Sequence, residues 1–333
     1  MKKQPSNLSR LMQYAGSHRY LTYASWILSA GSALLALVPF WYLWKIIAEV
    51  IDVMPDFSKA EHLVQNGWLA VLFAVLSFVV YVGGLMCSHL SAFRVATNLR
   101  LQMLHHLAEL PLGFTQQFGS GKLRKTINES SGATETYLAH MLPDTANAIA
   151  TPIGLIALLL FFDWKLGLLS LIPVAAGFLV MTSMTGENMK KKMEEYQNAL
   201  DEMSNEAVEY VRGIPVVKTF GQTVFSFQRF KQSIDRYKTW TIAYTKDLRV
   251  PMMLYTTVIN GVFAVLIAAA LVMTRNGVTD TFLLNLLFYI IITPVISLTM
   301  TKMMFMSENG MIVADALKRV DTCLLYTSPS PRD

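Results

Sequence analysis

The sequence predicts an all-α membrane protein with six transmembrane helices and two long helical hairpins on the cytoplasmic side. Three observations carry that expectation. Hydrophobic residues make up 53% of the 333 residues and charged residues only 15%, against about 45–50% and about 25% in ordinary soluble domains. Six runs free of Asp, Glu, Lys and Arg are each long enough to cross a bilayer. The basic residues are also strongly biased to one side of those runs, as the retention of Lys and Arg in the cytoplasm requires.

The elements follow in order. Residues 1–19 are polar and basic, and the run after them, 20–44, is too long for the apolar core of a signal peptide, so it reads as a retained first span. The other runs are 67–93, 145–162, 166–186, 250–274 and 281–301. A helix rising 1.5 Å per residue needs about 20 apolar residues to cross a core about 30 Å thick, because lipid offers nothing to an unpaired backbone group. Pro39, Pro152, Pro173 and Pro294 fall inside these runs and mark places where a helix can kink. With the N-terminus in the cytoplasm, 23 Lys and Arg fall in cytoplasmic segments, four in external ones and one in the C-terminal tail. The pI near 9.1 is then mostly this bias, and it does not call for a nucleic-acid partner.

The loops are as informative as the spans. The external connections around Asp163 and around Arg275 are minimal, whereas the cytoplasmic stretches 94–144 and 187–249 are far longer than structureless loops usually are. Both carry helical periodicity, at 95–110 and at 188–211, so each is expected to form a hairpin of two long helices. In the first, Pro111 and Gly113 break the helix, Phe114 and Phe118 form an aromatic pair, and Gly119-Ser120-Gly121 lets the chain reverse. In the second, Gly213-Ile214-Pro215 is expected to interrupt the helix ahead of Val216, Val217 and Phe220. Apolar tips at the far ends of cytosolic hairpins need a cover, either the chain's own helices or a soluble partner.

These residues resemble the transmembrane domain of an ATP-binding-cassette (ABC) transporter of the exporter type. The resemblance is carried by Leu107-Ala108-Glu109-Leu110-Pro111 with Phe114, Phe118 and Gly121, and by the run from Glu209 through Arg212-Gly213-Ile214-Pro215 to Phe220-Gly221. Asp163-Trp164-Lys165-Leu166 resembles the tight turn between the third and fourth helices of that family, and the segment 314–320 resembles its exit from the sixth. The resemblance implies a half-transporter that works as a homodimer or heterodimer in the cytoplasmic (inner) membrane, multi-pass and with its N-terminus in the cytoplasm. It also implies that Gly113, Phe114, Phe118 and Gly121, with Gly213, Ile214, Val217 and Phe220, form the tips that dock on nucleotide-binding domains, the first mainly on its own chain's domain and the second on the partner's. ATP and magnesium would belong to those domains. The intact protein would be an ATP-hydrolysing translocase working by alternating access.

No nucleotide-binding motif accompanies these features in the 333 residues. Gly119-Ser120-Gly121-Lys122 is the nearest approach to a phosphate-binding loop, and it fails because Gln116 stands where the first glycine belongs and Leu123 where Ser or Thr would bind magnesium. No ATPase activity is therefore expected of this chain alone. The stretch 323–333 coincides with one reading frame of a transposase sequencing adaptor, so the transmembrane domain is taken as 20–322 and the natural chain is expected to continue into a nucleotide-binding domain. Cys87 and Cys323 are too few for a disulfide framework or a cysteine metal site.

Ionisable groups within the spans are few. Lys45 and Lys302 lie at span ends, where a lysine reaches the interface, and His89 ends the second run. Asp144 with His140 reads as a polar contact between helices, and none of these groups shows metal-ligand spacing. Met300, Met303 and Met304 on the sixth span are candidates to line an adaptable apolar substrate pathway. The first span, 25–39 followed by Trp41-Tyr42-Leu43-Trp44, is similar to bacterial members of the family associated with iron-siderophore uptake as well as to drug-type exporters. A siderophore-type importer of the same fold is thus the alternative reading. An integral-membrane enzyme would need convergent catalytic groups, and a secondary transporter internal repeats or coupled midplane charges. The sequence offers neither.

Overall fold

The computed structural model describes residues 7–110, 123–124, 126–184, 187–220 and 224–324, and among these there is no β-strand. We number the helices α1 (Asn7–Ala15), α2 (Arg19–Leu35), α3 (Val38–Asp52), α4 (Leu63–Glu109), α5 (Ser131–Thr136), α6 (Leu142–Phe162), α7 (Trp164–Met184), α8 (Glu187–Phe220), α9 (Val224–Met273) and α10 (Asp280–Leu324). Two π-helical turns, Thr126–Ser130 and Tyr137–Met141, flank α5. Among the described residues, six segments are long and apolar enough to span a membrane, so the chain is a multi-pass membrane protein.

The first span departs from expectation, because it is two helices and not one. Pro39 has no N–H to give the Leu35 carbonyl four residues back, and its ring crowds that carbonyl. The backbone tightens instead: Leu37 N donates to Leu34 O at 3.1 Å and Phe40 N to Leu37 O at 3.1 Å. The second hairpin also departs. Gly213-Ile214-Pro215 does not interrupt α8, which runs on to Phe220. One lost hydrogen bond in a 34-residue helix does not outweigh cooperative propagation on both sides. By contrast, Pro111 ends α4 as expected: Leu110, the residue before it, adopts φ −83° and ψ 150°, the extended geometry that proline imposes on its neighbour.

The chain divides into two compact units, residues 1–170 with 263–333, and residues 171–262. In the first unit, α2 packs along α4 through a seam of small residues. Thr22 Oγ1 lies 2.6 Å from Ser91 Oγ, and a Cβ on Gly84 would stand 3.1 Å from Ser29 Oγ and 3.2 Å from Leu28 Cβ. Small residues let helix backbones approach where no hydrophobic drive operates between helices in lipid. The amphipathic α1 packs on the first unit, with Leu11 and Ala15 buried among Ala92, Val95, Leu138, Val313 and Leu317, while Arg10 pairs with Asp321 on α10.

Tight turns join the spans. Asp163 caps α7, its Oδ1 accepting from Lys165 N at 2.9 Å and Leu166 N at 3.2 Å. Gly277 turns the chain between α9 and α10 at φ +128°, a conformation L side chains rarely adopt. In the loop after α3, the Ser58 hydroxyl and the Lys59 ammonium hold the Asp56 carboxyl below its ordinary pKa.

Candidate functional site

The second unit is built around a hairpin. α9 runs antiparallel to α7 and α8: a Cβ on Gly177 would collide with Ile259, Lys192 pairs with Asp247, Trp240 Nε1 donates to Glu195 Oε2 at 3.2 Å, and Arg229 reaches Glu206 at 2.6 Å. As the α8 partner advances along the chain its α9 partner retreats, so the two helices converge on the link between Phe220 and Val224. Aromatic rings fill the seam: Tyr196 lies 5.2 Å from Trp240, and Tyr210 stacks on Phe230 at 5.7 Å. At 1.5 Å per residue, α8 is about 50 Å long, and its final turns carry the apolar Val216, Val217 and Phe220.

The first hairpin has the same antiparallel character. Arg100 on α4 approaches Glu135 on α5 at 3.6 Å, and His89 on α4 meets His140 on the second π turn. The converging chains lead to residues 111–122, so Gly113, Phe114, Phe118 and Gly121 lie outside the described residues. Of the second tip, Gly213 and Ile214 are partly exposed, and Val217 and Phe220 fall within the helical backbone of α8. Among the candidate pathway methionines, Met300 is buried at 5% exposure, and Met303 and Met304 are partly exposed.

At the other end of the first unit, side chains tie three elements together. Trp44 Nε1 on α3 donates to Asn285 Oδ1 on α10 at 3.1 Å, and Asn285 Nδ2 donates to Phe162 O at 3.2 Å. Tyr289 donates to the Asp163 carbonyl at 2.8 Å and also approaches the Leu159 carbonyl, adding to the backbone N–H groups of Gly167 and Asp163 that those carbonyls already accept where α6 ends. Phe162 packs within 4.4 Å of Phe288, 5.0 Å of Trp44 and 5.3 Å of Trp41. Sequence reasoning missed this lock, although Asn285 was a visible signal as a polar side chain within a 21-residue charge-free run.

One further cluster escapes the sequence. His89 and His140 stand edge to face with ring centroids 4.7 Å apart, and Tyr81 donates to Asp144 Oδ1 at 3.2 Å. The sequence reads Asp144 with His140 as a polar contact between helices, but it does not name the partners Tyr81 and His89, which lie about 50 to 60 positions away in the chain. No group of three or more His, Cys, Asp or Glu able to hold a metal occurs among the described residues.

Six candidate spans and two antiparallel hairpins among the described residues define an all-helical, multi-pass membrane domain. The family model described as the ABC transporter transmembrane region matches residues 25–295, and the chain belongs to that family. It is similar to the mycobactin import ATP-binding/permease protein IrtA of Mycobacterium tuberculosis, 27% identical over 224 residues, which is 67% of this chain and 25% of the relative. The same protein of Mycolicibacterium smegmatis is 27% identical over 222 residues, covering 67% and 25%. The ATP-dependent lipid A-core flippase 1 of Colwellia psychrerythraea is 24% identical over 255 residues, 74% of this chain and 40% of the relative. The chain thus spans a quarter to two fifths of the length of these curated relatives.

Proposed function

We propose that this chain is the permease part of an ATP-driven transporter in the cytoplasmic membrane, moving its substrate by alternating access. It works as one half of a homodimer or heterodimer whose nucleotide-binding domains carry ATP and magnesium. The observation that supports this most is the pair of rigid antiparallel hairpins on the Lys- and Arg-rich side, in a chain whose relatives are named as ATP-binding transport proteins. Long helices braced by ion pairs and ring contacts transmit displacement with little bending, so motion at a tip becomes rigid-body motion of the spans continuous with it. Gly113, Phe114, Phe118 and Gly121, with Gly213, Ile214, Val217 and Phe220, dock on the nucleotide-binding domains in this reading, and Met303 and Met304 border the pathway beside Met300. The relatives named for mycobactin import favour a siderophore-type importer of the same fold as a second reading, and those named as lipid A-core flippases favour movement of a lipid.

The test replaces Val217 or Phe220 with Asp in the complete transporter, reconstituted in proteoliposomes. Transport should fall about tenfold or more while ATP hydrolysis persists, because a charge in an apolar contact destabilises docking without touching the nucleotide site. Wild-type transport in both variants refutes the role given to the second tip.

A further inference from the structure

On the face opposite the Lys- and Arg-rich side, three of the charge-free runs have an end at one level. Trp44 is the last residue of 20–44, Phe162 the last of 145–162, and Asn285 lies near the start of 281–301. The structure brings these three together, but the bonds around them divide unequally. Asn285 Nδ2 donates to Phe162 O at 3.2 Å, Tyr289 donates to Asp163 O at 2.8 Å, and the Phe162 and Phe288 rings lie 4.4 Å apart. A Cβ on Gly167 would stand 3.2 Å from the Tyr289 hydroxyl oxygen. The end of α6, the start of α7 and α10 therefore form one body at this end.

Helix α3 is held by different neighbours. Glu49 Oε1 accepts the His62 backbone N–H at 2.6 Å, where α4 begins, and Tyr42 stacks on Phe73 of α4 at 5.8 Å. The break at Ala36 and Leu37, where Leu37 N and Phe40 N bond three residues back instead of four, separates α3 from α2. α2 buries Thr22, Ser25, Ser29, Ser32 and Ala33, whereas no residue of α3 is fully buried. Among the described residues, a single side-chain hydrogen bond crosses from α3 to α6 or α10, the Trp44 indole N–H to Asn285 Oδ1 at 3.1 Å. Ring contacts of Trp41 and Trp44 with Phe161 and Phe162, at 5.0 to 5.3 Å, complete the seam.

Ring contacts tolerate sliding, whereas a hydrogen bond fixes both direction and height. The two ends of this bond also differ in what breaking it costs. Tryptophan suits a membrane interface, where water and headgroups can accept its N–H. Asn285 is 6% exposed and held from behind by the Phe162 carbonyl, so its Oδ1 regains a partner only when water fills the gap. A seam of this kind is either closed and dry or open and wetted, with little between. We propose that Trp44 and Asn285 form a latch that holds α3 and the start of α4 against α6 and α10, and that its release opens this end of the bundle to water. In the permease reading, on which the inference rests, this end is external, and the latch sets how often it opens.

The test uses the complete transporter in nanodiscs without nucleotide, in a cysteine-free background. Spin labels on Asp52→Cys, at the end of α3, and Asp280→Cys, at the start of α10, report the separation of the two bodies, and both positions are exposed. Excess unlabelled chain leaves one labelled copy per transporter. With the latch intact, the joined distance should dominate. Trp44→Phe keeps a ring against Phe162 but loses the N–H, and it should raise the ratio of separated to joined forms about five- to tenfold, the weight of one hydrogen bond. Tyr289→Phe removes bonds within the α6–α10 body and should leave the ratio unchanged. Equal ratios with and without Trp44→Phe in stably folded protein overturn the latch. An equal shift in Tyr289→Phe also overturns it, because the seam would then be loosening generally. The distances are read without ATP or substrate, so failure of the permease reading would appear separately, as a latch that opens in a protein that moves nothing.

Discussion

At the scale of single residues, close approach decides what is tolerated. Gly84 and Gly83 are adjacent on α4 and indistinguishable in composition, yet a Cβ on Gly84 would meet α2 while one on Gly83 would meet nothing within 4 Å. Gly84→Leu should therefore lower the midpoint of thermal unfolding in detergent, by the equivalent of about 1–3 kcal/mol for overpacking, and Gly83→Leu should leave it nearly unchanged. Equal midpoints for the two variants would show that α2 and α4 are not packed along the Thr22–Ser91 seam.

At the scale of elements, the three-way tie of Trp44, Asn285 and the Phe162 carbonyl joins α3, α10 and the end of α6. Asn285 is 6% exposed, so replacing it leaves the part-buried Trp44 indole N–H and the Phe162 carbonyl without this partner. Asn285→Leu should cost about 1–3 kcal/mol and Trp44→Phe less, with the double variant falling short of their sum because both break one shared bond. Denaturation in a uniform detergent measures all three, and strict additivity would dissolve the proposed tie. The hairpins show which features of an element are legible in a sequence. Helical periodicity and the stop at Pro111 were readable locally. The continuity of α8 through Pro215 was not, because whether a proline ends a helix or is absorbed depends on what stabilises the turns around it.

At the scale of the whole molecule, membrane orientation is the property on which the proposed function depends. The acidic loop carrying Asp56 is expected outside and the Lys190-Lys191-Lys192 stretch at the start of α8 inside. Single cysteines replacing Asp56 and Lys191 in a cysteine-free background should label from opposite sides of intact cells or vesicles. Labelling from one side would mean that a span has been gained or lost, and it would detach the hairpin tips from any cytosolic partner.

The sequence by itself determined the class, the six spans and the existence of both hairpins. Each of these follows from local rules: an apolar run must satisfy its own backbone in lipid, basic residues stay on one side, and periodicity reports helix over a few turns. It determined the family through runs of adjacent residues, which need no three-dimensional knowledge to compare. Only the tertiary structure brought Tyr81 to Asp144, His89 to His140 and Trp44 to Asn285, and only it broke the first span at Ala36 and Leu37. Those outcomes depend on which faces of distant helices meet and at what height. That is fixed by close packing of small residues such as Gly84 and by carbonyls freed at prolines, and neither leaves a periodic trace along the chain.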